Sequence, residues 1–520
     1  MTKDNTKYIM ITMFEEIDKI IKLDPKRIMP GTLYFYAHNG GKFDTKIVLQ
    51  VLYEIHLENT KEMPTQISDE SHIIYQLDII TKFGKLGFRD SLKLLPASVD
   101  SIAKNTLGLP SDQGKIAINF EDMSKHIAKG TMHINPDTGK EDYTSSTPHH
   151  IFTAYCIKDT VIIAKALQLF DKKNIEIRGV IVPIKEMITI SAISMFITQR
   201  KYLNTSMPII ALSPASPVSN FIKKSWFGGR TEVFHSGINV DQAYHFDVPS
   251  MYGRAMCKEL PYGNPVHVKF TQLSTEALPT IKALHNNNMI GFFKAEALSP
   301  ANNHIPVLGV HHNGKLIFPI GVLQGTWTSN ELELALEKGY TVKLLEGYIF
   351  KTGKVLEAFS SHYMSMKDTA DAKGDMALRT TAKLMVNAGY GKFGASYKFR
   401  TAEVTDISGL SKIMDMYKVH SVMDITNDIK VAYRDVTPKS DVTAAKHLRD
   451  IAFKKAQQAL QGNTTNVAIA RAITSHGRIV LYKLIQEVLD RGGKMLYTDT
   501  DRVFAQLSRN PFGKPFGPFT

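Results

Sequence analysis

Two short stretches late in the sequence, Lys494–Tyr497 and Arg502–Leu507, enclose Asp499-Thr500-Asp501. Gly492-Gly493 ends the helical pattern that runs from about Thr465 to Leu489, and the two stretches after it read as strands flanking a turn. The chain must therefore fold around a hairpin with two carboxylates at its turn, and period-two geometry directs Asp499 and Asp501 to the same side. Such a pair on a rigid hairpin can hold Mg²⁺. A solvated Asp-rich turn accounts for the same residues.

A further carboxylate stands far upstream in Asp247-Val248-Pro249-Ser250-Met251-Tyr252, where Asp247 ends a strand from Tyr244 to Val248. Mg²⁺ takes oxygen ligands, and phosphoryl transfer by two metals uses carboxylates from separate strands, a bridge that Asp247 and Asp501 would form. Read alone, Asp247 is more often a helix cap or turn residue than a metal ligand. A third constellation is Lys383-Leu384-Met385-Val386-Asn387-Ala388-Gly389-Tyr390-Gly391. At 3.6 residues per turn Arg379, Lys383, Asn387 and Tyr390 share one helix face, which offers two cations to a triphosphate and a ring to a base. The alternative is a solvated basic face with Tyr390 covering the core.

The 520 residues exceed what one hydrophobic core usually serves, so several domains are expected, and 43% apolar content is enough to build them. No apolar run reaches membrane-spanning length; the greasiest, Ile181 to Phe196, is broken by Pro183, Lys185, Glu186 and Ser191. Cys156 and Cys257 have no partners at zinc-ligand spacing and fit a reducing compartment. A net charge of +13 suits a polyanion partner without naming one. Residues 1–30 carry Asp4, Glu15, Glu16 and Asp18, unlike a signal or transit peptide.

Thr32 to Val51 reads as strand, glycine turn and helix, with His38, Asn39, Lys42 and Asp44 at the junction. A helix from about Pro148 to Leu169 puts Tyr155 and Asp159 on one face, and a boundary is placed near 185. Residues 259–355 read as a loop-rich inserted subdomain, 358–391 as mostly helical, and 400–460 as a second insertion without strong periodicity.

In this order the three constellations resemble motifs A, B and C of family B DNA polymerases (DxxSLYP, KxxxNSxYG and YxDTDS). The two inserts between them resemble the protein-primed branch of phages, adenoviruses and linear mitochondrial plasmids. Trp226-Phe227-Gly228-Gly229 resembles that branch's YxGG loop. Asp90-Ser91-Leu92 with Leu95-Pro96 resembles a segment of its exonuclease domain. The resemblance implies an α/β and α+β multidomain fold, a ribonuclease-H-like exonuclease remnant (1–185) followed by a right-hand polymerase. Its parts would be palm (186–258 and 461–520), first insertion of terminal-protein-region type (259–355), fingers (356–398) and second insertion (399–460).

The same resemblance implies DNA-directed DNA synthesis with two Mg²⁺ ions, or Mn²⁺, on Asp247 and Asp501, with Asp499 nearby. Tyr252 would exclude a ribose 2′-OH, and Arg379, Lys383, Asn387 and Tyr390 would hold the incoming deoxynucleoside triphosphate. His38, Asn39, Phe43, Gly228, Gly229, Gly391 and Lys392 would contact template or primer DNA. A terminal protein would be the primer, no membrane partner is implied, and the location would be mitochondrial, with phage or host cytoplasm as alternatives.

Three features depart from the family pattern. Asp44, Tyr155 and Asp159 resemble the second and third exonuclease motifs, but no DxE precedes Asn39, so proofreading is expected to be weak or absent. The sequence stops at Thr520, where the family continues into a thumb. Arg502, Ala388 and Gly253 replace a Ser, a Ser and a Pro. Arg502 is expected to pair with Asp499 or to reach primer phosphate. A catalytically inactive relative that only binds nucleic acid is the competing expectation.

Overall fold

A computed structural model describes residues 12, 15–16, 19, 32–42, 44–60, 64–69, 71–82, 84–110, 113–116, 148–178, 187–203, 205–212, 216–237, 243–270, 277–394, 400–438 and 466–507. Phe43, the Ala-rich stretch near Lys454 and everything after Leu507 lie outside them. The chain forms two compact units, 1–193 with 369–381 and 397–456, and 194–368 with 382–396 and 457–520.

In the first unit β1 (Thr32–Ala37) turns through residues 38–42 into α1 (Asp44–Asn59). β2 (Thr65–Ser68), β3 (Ile74–Thr81) and β4 (Gly84–Asp90) complete a sheet of order β1-β4-β3-β2, in which β1 and β4 alone are parallel. That parallel pairing sets Ala37 beside Asp90, so the strand ends come together at one edge. Helix α1 covers the sheet with Leu49, Leu52 and Tyr53 against Leu77, Ile79 and Leu86. A long helix, α2 (Pro148–Arg178), follows.

Residues 400–438 belong to the segment read as a second insertion without strong periodicity. They form an antiparallel sheet of Arg400–Asp406, Ile429–Pro438 and Tyr417–Asp424 with a helix at Ile407–Met416. Val404, Ile429 and Val431 are buried in the same core as Leu49 and Leu77.

In the second unit β5 (Thr231–Val233) and β6 (Ala243–Asp247) precede the short helix α3 (Met251–Met256). Residues 259–355 are not the loop-rich segment expected. β7 (Leu260–Lys269), α4 (Ala277–Asn286), β8 (Met289–Leu298), β9 (Val322–Thr328), α5 (Ser329–Glu337) and β10 (Thr341–Gly353) make an antiparallel sheet of order β9-β8-β10-β7 with two helices. Gly291, Gly325 and Gly347 lie inside strands of this sheet, where each leaves room for the ring of Phe293 or Trp327.

Helices α6 (Glu357–Lys373) and α7 (Met376–Phe393) are joined by Gly374, at φ +69°, and Asp375. Finally α8 (Val467–Asp490) leads into the hairpin of β11 (Lys494–Asp499) and β12 (Arg502–Gln506). The hairpin inserts between the two earlier strands to give the order β5-β11-β12-β6. One core, from Phe246 and Val503 through Leu481 and Ile485 to Phe293 and Trp327, joins this sheet, α8 and the β9-β8-β10-β7 sheet.

At the heart of that core Glu331 answers two buried arginines. Thr328 and Glu331 form a capping box at the start of α5, and Glu331 also binds Arg471 at 2.6 Å and Arg478 at 2.6 Å, both on α8. Arg478 Nη1 donates to the carbonyls of Phe227 and Gly228 at 2.6 and 2.8 Å. The glycine loop before β5 is thereby fixed to α8. Among the described residues no helix is long and apolar enough to cross a membrane.

Candidate active site

Sheet register brings the two distant carboxylates together. β6 runs antiparallel to β12 with Asp247 opposite Arg502, and the Val248 N–H donates to the Asp501 carbonyl at 2.8 Å. Asp247 therefore ends its strand beside the hairpin turn. The turn itself is three residues wide, because the Asp501 N–H returns to the Asp499 carbonyl at 2.7 Å across Thr500 at φ +62°. A β-branched residue in the left-handed region is strained, and three contacts hold it there. Its N–H donates to the Arg230 carbonyl at 2.9 Å, its Oγ1 to Asp499 Oδ1 at 3.1 Å, and its side chain fills the space over Gly229.

That turn breaks the regular strand alternation between Asp499 and Asp501. Asp499 Oδ1 accepts from the hydroxyls of Thr231 and Thr500, both at 3.1 Å. Burial, and then the charge of Asp247, push the Asp501 carboxyl above the usual carboxylate range, while Asp499 acts on it more weakly. Arg502 pairs with Asp247 Oδ1 at 3.4 Å and lies 4.0 Å from Asp501 Oδ1, rather than with Asp499 as expected.

Among the described residues no three His, Cys, Asp or Glu side chains converge on a metal position. Mg²⁺ does not need such a cage, since it commonly takes one or two carboxylates and completes its shell with water and substrate phosphate. Two carboxylates brought together at one end of the sheet, Asp247 and Asp501, fit that ion.

Beside the carboxylates, Ser250 at φ +53° leads into α3, and its Oγ accepts from Lys367 Nζ of α6 at 3.3 Å. The ring of Tyr252 lies 4.5 Å from that of Tyr390 on α7, with planes 31° apart, and their hydroxyls are hydrogen-bonded. Burial raises the pKa of both phenols. Gly253 makes the approach possible, because a Cβ there would stand 2.9 Å from Met364 Sδ and 2.9 Å from Val386 Cγ1. On α7, Met385, Val386 and Phe393 are buried while Lys383, Asn387 and Gly391 are exposed. Burial lowers the pKa of Lys392. Arg379 forms an ion pair with Asp371.

In the first unit both ring nitrogens of His38 are used within the fold, on Ser91 Oγ at 3.1 Å and the Ala97 carbonyl at 2.8 Å. The Asn39 N–H donates to Asp90 Oδ1 at 2.9 Å. Asp44 is exposed at the start of α1. On α2, Asp159 lies 3.8 Å from Lys115 Nζ, which also stands 5.3 Å from the Tyr155 ring. Burial raises the Asp159 carboxyl above its ordinary range.

Residues 25–486 match the model of DNA polymerase type B, organellar and viral. The chain belongs to that family. A probable DNA polymerase of Podospora anserina is 24% identical over 88% of the chain and 38% of its own length. One of Neurospora intermedia is 22% identical over 90% and 47%. The DNA polymerase of human adenovirus A serotype 12 is 28% identical over 38% of the chain and 20% of its own length. The chain thus spans less than half the length of these curated relatives. Phi29 DNA polymerase in complex with primer-template DNA and incoming nucleotide has the same fold, with a TM-score of 0.60, 18% identity and coverage of 95% of the chain and 75% of that structure.

Within this type B polymerase fold the second unit brings together Asp247, Asp501, Tyr252 and Tyr390, four residues drawn from segments read separately in the sequence. Gly228 is exposed and Gly229 is packed beneath Thr500. Three participants carry no sequence signal. Lys367 is one cation on a polar helix, Thr231 is one hydroxyl on a three-residue strand, and Glu331 reads as the end of a capping box.

Proposed function

We propose that the chain carries out template-directed DNA synthesis, a reading carried by the juxtaposition of Asp247 and Asp501 across β6 and the β11–β12 turn. The two carboxylates would hold Mg²⁺, or Mn²⁺, and such ions neutralise charge on the attacking and leaving oxygens during phosphoryl transfer. Asp499, fixed by Thr231 and Thr500, positions the turn. Lys383, exposed on α7, and Lys367 beside Ser250 supply cations for a nucleoside triphosphate. Tyr252, backed by Tyr390, places a ring where a 2′-hydroxyl would crowd it.

The palm is assigned to 186–258 and 461–520, the fingers to 356–398, and the two insertions to 259–355 and 399–460. The N-terminal 185 residues are read as a single-strand-binding remnant with little 3′–5′ exonuclease activity, because Lys115 already lies on Asp159. Priming by a terminal-protein hydroxyl and mitochondrial plasmid encoding are part of the same reading, supported by the organellar and viral character of the family.

A second reading, an inactive relative that only binds nucleic acid, is favoured by Arg502 across Asp247. Extension of a recessed DNA primer with Mg²⁺, run beside Asp501→Ala, separates the two. Extension lost in the variant and confined to deoxynucleotides supports the polymerase; primer binding without extension supports the inactive relative. Tyr252→Ala is expected to admit ribonucleotides.

A further inference from the structure

The residue after the DTD turn does more than break the family pattern. Antiparallel register places Arg502 directly opposite Asp247, and its Nε stands 3.4 Å from Asp247 Oδ1 and 4.0 Å from Asp501 Oδ1. Its guanidinium is thus the cation shared by the two carboxylates that face each other at this end of the sheet. Asp499 is served by two hydroxyls instead.

We propose that Arg502 is an internal counter-ion that occupies the Asp247–Asp501 site and competes with the divalent cation for it. The inference rests on reading those carboxylates as the metal ligands. A divalent ion has the higher charge density and is bound by the carboxylates directly, whereas the half-exposed guanidinium of Arg502, at the start of β12, has rotamers that leave the site. Metal entry therefore swings Arg502 outward rather than requiring a change of the sheet. All three side chains are about half-exposed, so the competition is screened and modest. An exposed pair of this kind weighs up to about fivefold in an equilibrium, which sets the size of the effect.

The test is Mn²⁺ binding, followed by the electron paramagnetic resonance signal of the free ion, to the 520-residue chain without nucleotide or DNA. Arg502→Gln is expected to bind the ion about fivefold more tightly than the parent. Arg502→Lys, which keeps the charge, should stay within about twofold of the parent. Thermal unfolding of each variant verifies that the fold is intact. Equal affinity of parent and Arg502→Gln, weaker binding in Arg502→Gln, binding undetectable in both, or Arg502→Lys behaving as Arg502→Gln overturns the proposal. Asp501→Asn separates the two levels of the argument. If it binds Mn²⁺ as the parent does, the metal-site reading itself fails; if it loses the ion while Arg502→Gln is unchanged, only the counter-ion fails.

Discussion

Gly229 and Thr500 are in such close contact that a Cβ on the glycine would stand 2.6 Å from Thr500 Oγ1 and 2.8 Å from its Cβ. The atoms in the way are near the Thr500 backbone, which is itself held at φ +62°, so neither side can yield cheaply. Gly229→Ala is expected to destabilise the fold by about 1–3 kcal/mol and to lower primer extension by displacing the carboxylate turn. Denaturant unfolding and extension rate, measured together, check it. Unchanged stability would mean that the loop moves freely.

The proline that the family pattern has after the motif A tyrosine should be harmful here. Gly253 sits in the first turn of α3, where a proline is acceptable to the backbone, but its ring would meet Met364 and Val386. Gly253→Pro is expected to cost about 1–3 kcal/mol, and adding Val386→Ala should recover part of the loss. Independent, additive effects in a double-mutant cycle would contradict this account.

Glu331 is bound to both Arg471, which is fully buried, and Arg478. Glu331→Gln keeps the shape and leaves two buried cations without their charge partner, which is expected to cost about 3 kcal/mol. Because Arg478 also holds the Phe227 and Gly228 carbonyls, protease sensitivity of the loop before β5 should rise with the loss. A melting temperature within a degree or so of the parent would disprove the coupling.

The raised pKa of Asp501 has a sign that can be measured without metal. A carboxyl raised on folding binds its proton more readily in the folded state, so stability increases as pH falls through the raised value towards the ordinary Asp range. At neutral pH the ionised group is repelled by Asp247, and Asp501→Asn should melt higher than the parent. The difference should close on acidification. A constant difference across pH would show that the carboxylates do not interact.

What could be read from the sequence was chemistry carried by contiguous residues. The hairpin of Asp499 and Asp501, the strand ending at Asp247 and the helix of Lys383 to Tyr390 all form at their expected places. The turn geometry was not legible, because a positive φ at Thr500 depends on Arg230 and Gly229, some 270 residues away. Strands β8, β9 and β10 were not legible because glycines punctuate the segment, and only the packed structure shows the rings of Phe293 and Trp327 over Gly291, Gly325 and Gly347. That Arg502 stands opposite Asp247 was not legible for the same reason: cross-strand register is a property of the sheet and not of the local sequence.

The order β5-β11-β12-β6 also imposes a timetable on synthesis. β5 and β6 are translated roughly 250 residues before the hairpin that separates and pairs with them, so at typical elongation rates they wait about 12–50 s. Through that interval their edges are open to foreign strands, and the Asp247 carboxylate has neither Asp501 nor Arg502 beside it. Ribosome-bound chains that lack the hairpin are therefore the species in most need of a chaperone, and a ribosome stalled ahead of Lys494 carries a nascent chain in which Asp247 has not yet met Asp501.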